Sequence, residues 1–117
     1  MATDFRSGKD FPRRGRDEYG GYLWLLRVFD KARAAAAGTI HDYIYPCPMD
    51  KGVFDRWGIS VEEFDAAVRT HTTDEAILEW IKERVDGAHR ETANLWVSVD
   101  KAANLDRQDS EEGVVPA

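Results

Sequence analysis

Apolar residues recur at helical spacing near the start of the chain, which predicts a long central helix over residues 21–37. The side chains that share its apolar face are Tyr22, Leu25, Leu26, Phe29, Ala32 and Ala36, with Trp24, Val28 and Ala35 widening it. Gly38 follows the alanine run and is a typical helix stop, because glycine accepts the left-handed conformation.

Four shorter helices are predicted downstream. Asp50 is the expected N-cap of a helix over 50–57, and Gly58 ends it. Ser60 and Glu63 form a capping box for a helix to residue 70, and Thr72 and Glu75 repeat the device for a helix to residue 86. A last helix is expected over 88–103. No strand pattern interrupts them, so the prediction is an all-α, compact single-domain bundle of about five helices.

Three segments of the chain lack a helical period. Residues 1–20 contain Gly and Pro without regular spacing and are expected to form an irregular N-terminal arm before the helical domain of residues 21–103. A short extended strip is expected before the second helix, because Pro46 and Pro48 each favour extended geometry in the residue before them. Residues 104–117 hold four acids and one base and are predicted to be an acidic, flexible tail.

Charge and cysteine content restrict the function classes. The net charge is −6, and residues 1–20 carry +1 (five bases, four acids), so the remaining 97 residues carry −7. Such an acidic body argues against nucleic acid as the main partner. The basic run in residues 12–16 is expected to be a solvated leader rather than a phosphate contact. No apolar run reaches a membrane-spanning length, and the single Cys47 cannot form an internal disulfide, so a soluble cytoplasmic protein is expected.

Several blocks of sequence resemble a bacterial family called domain of unknown function 5069. The blocks that carry the resemblance lie at residues 20–22 (GGY), 30–34 (DKARA), 43–50 (YIYPCPMD) and 77–81 (ILEWI). Their order and spacing agree with the family over about residues 5–100. The resemblance implies a small, mostly helical, stand-alone bacterial domain. It implies no activity, catalytic residue or ligand.

Arg33 is the sharpest anomaly in the helical pattern, because it projects between Leu26 and Phe29 on the apolar face. A guanidinium there must be paired or reach water. The structural interpretation is that Arg33 bonds carbonyls or a carboxylate such as Asp42 or Asp50. The functional alternative is an arginine on a pocket wall that binds a ligand carboxylate or phosphate.

Arg27, Asp30 and Lys31 occupy the opposite, polar side of the same helix. Their spacing of three and four residues is typical of a solvated face with weak ion pairs, and this is the interpretation that the pattern favours. If a later segment covers this face, the three side chains become a polar site.

The strip over residues 43–50 supplies the remaining candidates. Tyr43 and Tyr45 alternate with Ile44, so both phenols are expected on one side, where they line a groove with Arg33 or edge the core. Cys47 is expected to be structural, with a reactive thiol or a metal ligand as alternatives and His41 as a possible base. Standard metal spacing is absent, so neither a metal nor a cofactor is predicted.

These residues favour a non-enzymatic binding or interaction module. The candidate binding residues are Asp30, Lys31, Arg33, Tyr43, Tyr45, Cys47 and Asp50, and the expected partner is an anionic small molecule or a protein segment. The alternative is a small thiol-dependent enzyme or redox sensor that uses Cys47. A third hypothesis is a homodimer, because Trp24 and Val28 widen the apolar face beyond the need of one core. Catalytic residues are not identifiable from the sequence, and either a monomer or a homodimer fits the pattern.

Overall fold

The computed structural model describes residues 4–6, 11–41 and 43–112. Within these ranges the chain is all-α, as predicted, and contains no strand beyond an isolated bridge between Tyr19 and Tyr22. The helices number six rather than about five, with a π-helical segment before the last. They are α1 (Leu25–Ala37), α2 (Pro48–Trp57), α3 (Val61–Thr70), α4 (Asp74–Arg84), α5 (Gly87–Leu95), the π-helical segment (Trp96–Asp100) and α6 (Ala102–Glu111).

The central helix begins at Leu25, four residues later than predicted. Gly20 and Gly21 both have positive φ angles and form a turn that pairs Tyr19 with Tyr22 through two backbone hydrogen bonds. Trp24 is then left-handed, with φ 72°, and its N–H donates to the Gly15 carbonyl at 2.9 Å. The helical spacing of apolar residues extends back through this turn, but the turn at the two glycines delays the start of the helix.

The second helix begins at Pro48, so the prediction that Asp50 is its N-cap was wrong. Cys47 is the N-cap and is extended, as the following proline requires. Its sulfur accepts a hydrogen bond from the Asp50 N–H, and the Asp50 carboxylate accepts one from the Cys47 N–H. Proline suits the first helical position because its missing N–H would have no helical partner there.

Helix α1 lies in the middle of the core. Trp24 and Val28 are fully buried against the other helices. The surplus apolar face that motivated the homodimer hypothesis therefore does not exist, and the oligomeric state stays a prediction. Phe54, on α2, packs against both Trp57 and Phe64. These aromatic contacts join α2 to α3.

The acidic segment that was predicted to be a flexible tail forms α6 over Ala102–Glu111. Its apolar anchor is Leu105, which is buried in the core. Its acids bind the basic N-terminal arm: Arg14 bonds Asp109 at 2.8 Å, and Arg16 bonds Asp106 and Asp109 at 2.7 and 3.0 Å. The arm's basic residues are thus not a solvated leader, and they account for the order of α6. The parts of the arm and tail at residues 1–3, 7–10 and 113–117 lie outside the described residues.

None of the helices in the described ranges combines the length and apolar character needed to cross a bilayer.

Candidate functional site

The polar face of α1 is buried, contrary to the prediction of a wet helix face. Arg27, Asp30 and Lys31 are 4%, 1% and 4% exposed. The arm, α2 and the end of α6 cover them, and each segment supplies a group of opposite charge. The burial of these charges therefore depends on ion pairs that join distant parts of the chain.

Asp50 is the centre of the first of these pairings and is completely buried. Its Oδ2 lies 2.7 Å from the Lys31 Nζ and accepts the Cys47 N–H at 3.0 Å. Its Oδ1 accepts the Trp24 Nε1–H at 2.8 Å. One carboxylate thus connects α1, the turn before α1 and the start of α2.

Cys47 lies beside this cluster, with its side chain half-buried. The sulfur accepts hydrogen bonds from the Lys31 ammonium at 3.3 Å and from the Asp50 N–H at 3.4 Å. His41, the base considered from the sequence, is exposed, and its backbone is left-handed with φ 55°. The described contacts of the sulfur are therefore with a cation and a helix N-terminus, not with a histidine.

Asp30 is the centre of the second pairing. It accepts from the Arg13 side chain at 2.8 and 3.0 Å, from the Arg13 N–H at 2.9 Å, and from Arg33 at 2.8 Å. Arg13 also binds Asp74, the first residue of α4, at 2.6 Å. This hydrogen-bonded guanidinium holds the pKa of Asp74 below its ordinary value of 3.8.

Arg33 bonds a carboxylate and a carbonyl, as the structural interpretation predicted, and the carboxylate that it binds among the described residues is Asp30. Its guanidinium stacks on the Phe29 ring, 4.1 Å from the centroid, and reaches the Thr72 carbonyl at 3.5 Å. Asp50 is occupied by Lys31, and Asp42 lies outside the described residues. These described contacts of Arg33 lie within its own helix and with the loop before α4, and none of them is shared with Cys47.

The two tyrosines of the 43–50 strip do not line one groove with Arg33. The Tyr43 hydroxyl donates to Glu112 at 3.0 Å, after the last turn of α6. The Tyr45 hydroxyl donates to Asp65, on α3, at 2.7 Å. Burial, followed by the neighbouring carboxylate, raises the pKa of both phenols above the ordinary value, so both are neutral donors at physiological pH.

A cleft of about 280 Å³ opens between α1, the 43–50 strip and α3. The residues that line it are Ala32, Ala35, Ala36, Tyr45, Pro46, Asp65, Val68 and Arg69. Asp65 and Arg69 were not identified from the sequence, because charges on an amphipathic helix are usually solvated. The alanine run of α1 was the available signal, since side chains so small leave space beside a neighbouring helix.

Within the described ranges, no three His, Cys, Asp or Glu side chains converge as metal ligands.

The family model for a domain of unknown function (DUF5069) matches residues 9–114, nearly the whole chain. The chain belongs to this family. No curated protein matches the sequence. The resemblance that the four sequence blocks indicated is therefore confirmed, and the DUF5069 description carries no activity, ligand or site residue.

The buried Lys31–Asp50 pair predicts a large asymmetry between single and double substitutions. Lys31→Met leaves Asp50 charged and unpaired, so the free energy of unfolding should fall by about 3–5 kcal/mol. In Lys31→Met/Asp50→Asn the charge is removed and the amide oxygen still accepts from Trp24, but the Cys47 N–H loses its acceptor, so part of the lost stability should be recovered. Urea unfolding followed by circular dichroism measures both.

Lys82→Met is the matched control, because Lys82 is half exposed and makes a long 3.8 Å ion pair. It should change stability little. A loss below about 1 kcal/mol in Lys31→Met would contradict the buried-pair interpretation, since surface pairs alone have that magnitude.

The lowered pKa of Asp74 predicts a pH-dependent contribution to stability. At pH 7 the free energy of unfolding of the wild type should exceed that of Asp74→Asn by about 1.5–3 kcal/mol. This is the range for hydrogen bonds to charged groups. The carboxylate contributes fully above its unfolded-state pKa. This contribution is lost as the pH falls through the lower folded-state pKa. The difference between wild type and variant should therefore shrink below pH 3.8.

Urea unfolding at pH 7, 4 and 3 checks the trend, with Glu79→Gln as an exposed control that should show no difference at any pH. A wild-type advantage that stays constant down to pH 3 would refute it.

Proposed function

We propose that this DUF5069 protein is a non-enzymatic binding module for a small anionic molecule, which enters the cleft between α1 and α3. The observation that carries the proposal is an open cleft that combines small apolar side chains with a cation at its rim. The cleft volume of about 280 Å³ is near the lower end of ligand pockets, so the ligand is of amino-acid size rather than a nucleotide cofactor.

Small apolar side chains form part of the cleft lining. Ala32, Ala35 and Ala36 supply the α1 side, and Val68 supplies the α3 side. Pro46 closes the edge formed by the strip. An aliphatic or ring portion of a ligand gains free energy by covering this surface.

The charged groups of the cleft are arranged so that the cation is available. Asp65 and Arg69 are four residues apart on α3, a spacing at which they normally pair. Here Asp65 accepts from Tyr45, and the exposed Arg69 guanidinium makes no ion pair or hydrogen bond with any other described residue. Arg69 is therefore positioned to bind a ligand carboxylate bidentately, while Asp65 retains lone pairs for a ligand N–H or O–H.

The test is isothermal titration of the protein with amino-acid-sized carboxylates, each paired with its uncharged amide. The carboxylate should bind and the amide should not. Arg69→Gln should lower the affinity for the carboxylate by about tenfold or more, because a charged hydrogen bond contributes about 1.5–3 kcal/mol. Ala36→Leu should abolish binding by filling the cleft, and Ala36 is exposed, so the fold tolerates the larger side chain.

Arg107→Gln is the matched control, because Arg107 is an exposed arginine on α6 outside the cleft lining. Its affinity should equal that of the wild type. If Arg69→Gln and Arg107→Gln lowered the affinity equally, binding would depend on net charge, and the proposed site in the cleft would be refuted. The absence of binding across the panel would also refute it.

A reactive thiol at Cys47 is the second candidate function. The observation in its favour is the pair of donors on the sulfur, the Lys31 ammonium and the Asp50 N–H at the start of α2. A cation and a helix N-terminus stabilise negative charge on sulfur. It ranks second because Asp50 lies nearer to the ammonium than the sulfur does, at 2.7 against 3.3 Å, and neutralises most of that charge.

Alkylation by iodoacetamide tests the thiol. If the geometry activates Cys47, the native protein should be alkylated faster at pH 7 than the urea-unfolded chain, although folding half-buries the sulfur. Lys31→Arg keeps the cation and should keep much of this advantage. A thiol that is labelled only after unfolding would eliminate the redox and thiol-enzyme functions.

A further inference from the structure

Arg27 is a buried arginine whose carboxylate partner comes from beyond the last helix. Its Nη1 and Nη2 donate to the two carboxylate oxygens of Glu112 at 3.0 and 2.7 Å. The Tyr43 hydroxyl donates to the same carboxylate at 3.0 Å. The side chains of Arg27 and Glu112 are 4% and 8% exposed. Three donors thus surround one carboxylate in a nearly dry site, the arrangement expected of a carboxylate-binding pocket.

The guanidinium is not fully satisfied by this partner. The Arg27 Nε is buried and has no hydrogen-bond partner in the described part of the chain. Buried donors are normally paired, so the remaining N–H is unused binding capacity. A carboxylate that approaches the guanidinium from the side of Nε would use a donor that Glu112 leaves unmet.

The segment that delivers Glu112 is intrinsically a weak helix. Helix α6 has no side-chain N-cap, no acid in its first turn and no base in its last turn. Asp109, Glu111 and Glu112 instead lie near its C-terminal end, where the helix dipole disfavours negative charge. Leu105 is its one buried residue. Ion pairs with Arg14, Arg16 and Arg27 supplement this one apolar anchor, and an element with so few buried apolar contacts opens at a lower free-energy cost than the core helices.

We propose that Arg27 and Tyr43 form a carboxylate-binding site, and that α6 is a latch that closes it by inserting Glu112 in place of the ligand. The ligand class is a small alkyl carboxylate, because the occupant seen here is a carboxylate on a short aliphatic stem. This site shares no residue with the cleft beside α3, and the two proposals stand or fall separately.

Removal of the latch carboxylate provides the test. Glu112→Ala should lower the melting temperature, because Arg27 is left buried without an anion. Sodium acetate at about 100 mM should raise the melting temperature of this variant by about 4 °C or more relative to sodium chloride of equal ionic strength, because a ligand that binds only the folded state stabilises it. Wild type, in which Glu112 competes, should respond less. Glu112→Gln, whose side chain still fills the site, should respond to acetate less than Glu112→Ala.

Glu111→Ala is the matched control, since Glu111 is an exposed acid in the same helix, and it should show no specific acetate effect. Glu112→Ala/Arg27→Met removes both charges and should lose the acetate response while remaining folded. An acetate effect no larger than that of chloride in Glu112→Ala would overturn the site. So would an equal acetate effect after Arg27 is replaced.

Hydrogen exchange tests the latch itself. The backbone amides of α6 should exchange faster than those of α1 in the wild type, and acetate should accelerate them relative to chloride. Exchange of α6 at the same rate as the α1 core would overturn the latch, because the helix would then open only on global unfolding.

Discussion

Burial of the charged face of α1 is the constraint on which the rest of this structure depends. A helix that carries Arg27, Asp30 and Lys31 into the interior must find opposite charge for each of them, since an isolated ion there costs several kcal/mol. The oppositely charged partners come from three separate segments: the arm, the start of α2 and the end of α6. These ion pairs set where the surrounding segments can lie, whereas the apolar face alone would permit several arrangements.

The same requirement explains the uneven charge of the chain. The arginines of the arm bind acids of α1, α4 and α6, so the positive charges of the arm are neutralised within the molecule. Arg13 does this twice, holding Asp30 and Asp74 together. Net charge counted along a sequence could not reveal this, because it does not say which charges meet after folding.

The elements that the sequence predicted well are those with local causes. Gly38 and Gly58 end helices where expected, and the Ser60–Glu63 capping box begins α3. The failures have non-local causes. A helical projection placed Lys31 and Arg27 in solvent because it cannot include a later segment that covers them. Residues 104–111 were predicted to be part of a flexible tail, but Leu105 packs in the core and arginines some ninety positions earlier bind the acids of α6. Tyr45 was expected to line a groove with Arg33, but its hydroxyl binds Asp65 on α3, whereas Arg33 binds Asp30 on α1.

The 43–50 strip links the two proposed sites, although they share no residue. Tyr43 is held by Glu112, Tyr45 by Asp65 and Cys47 by Lys31, so alternate residues of one short segment are anchored to α6, α3 and α1. A ligand that binds Asp65 beside Tyr45, or that takes Arg27 from Glu112, would act on one anchor of a segment whose other anchors remain. Because such a short backbone segment cannot shift one residue independently of its neighbours, the proposed ligand of the cleft and the proposed movement of α6 would act on a common element. The strip is therefore the part of the molecule that would couple binding at one site to binding at the other.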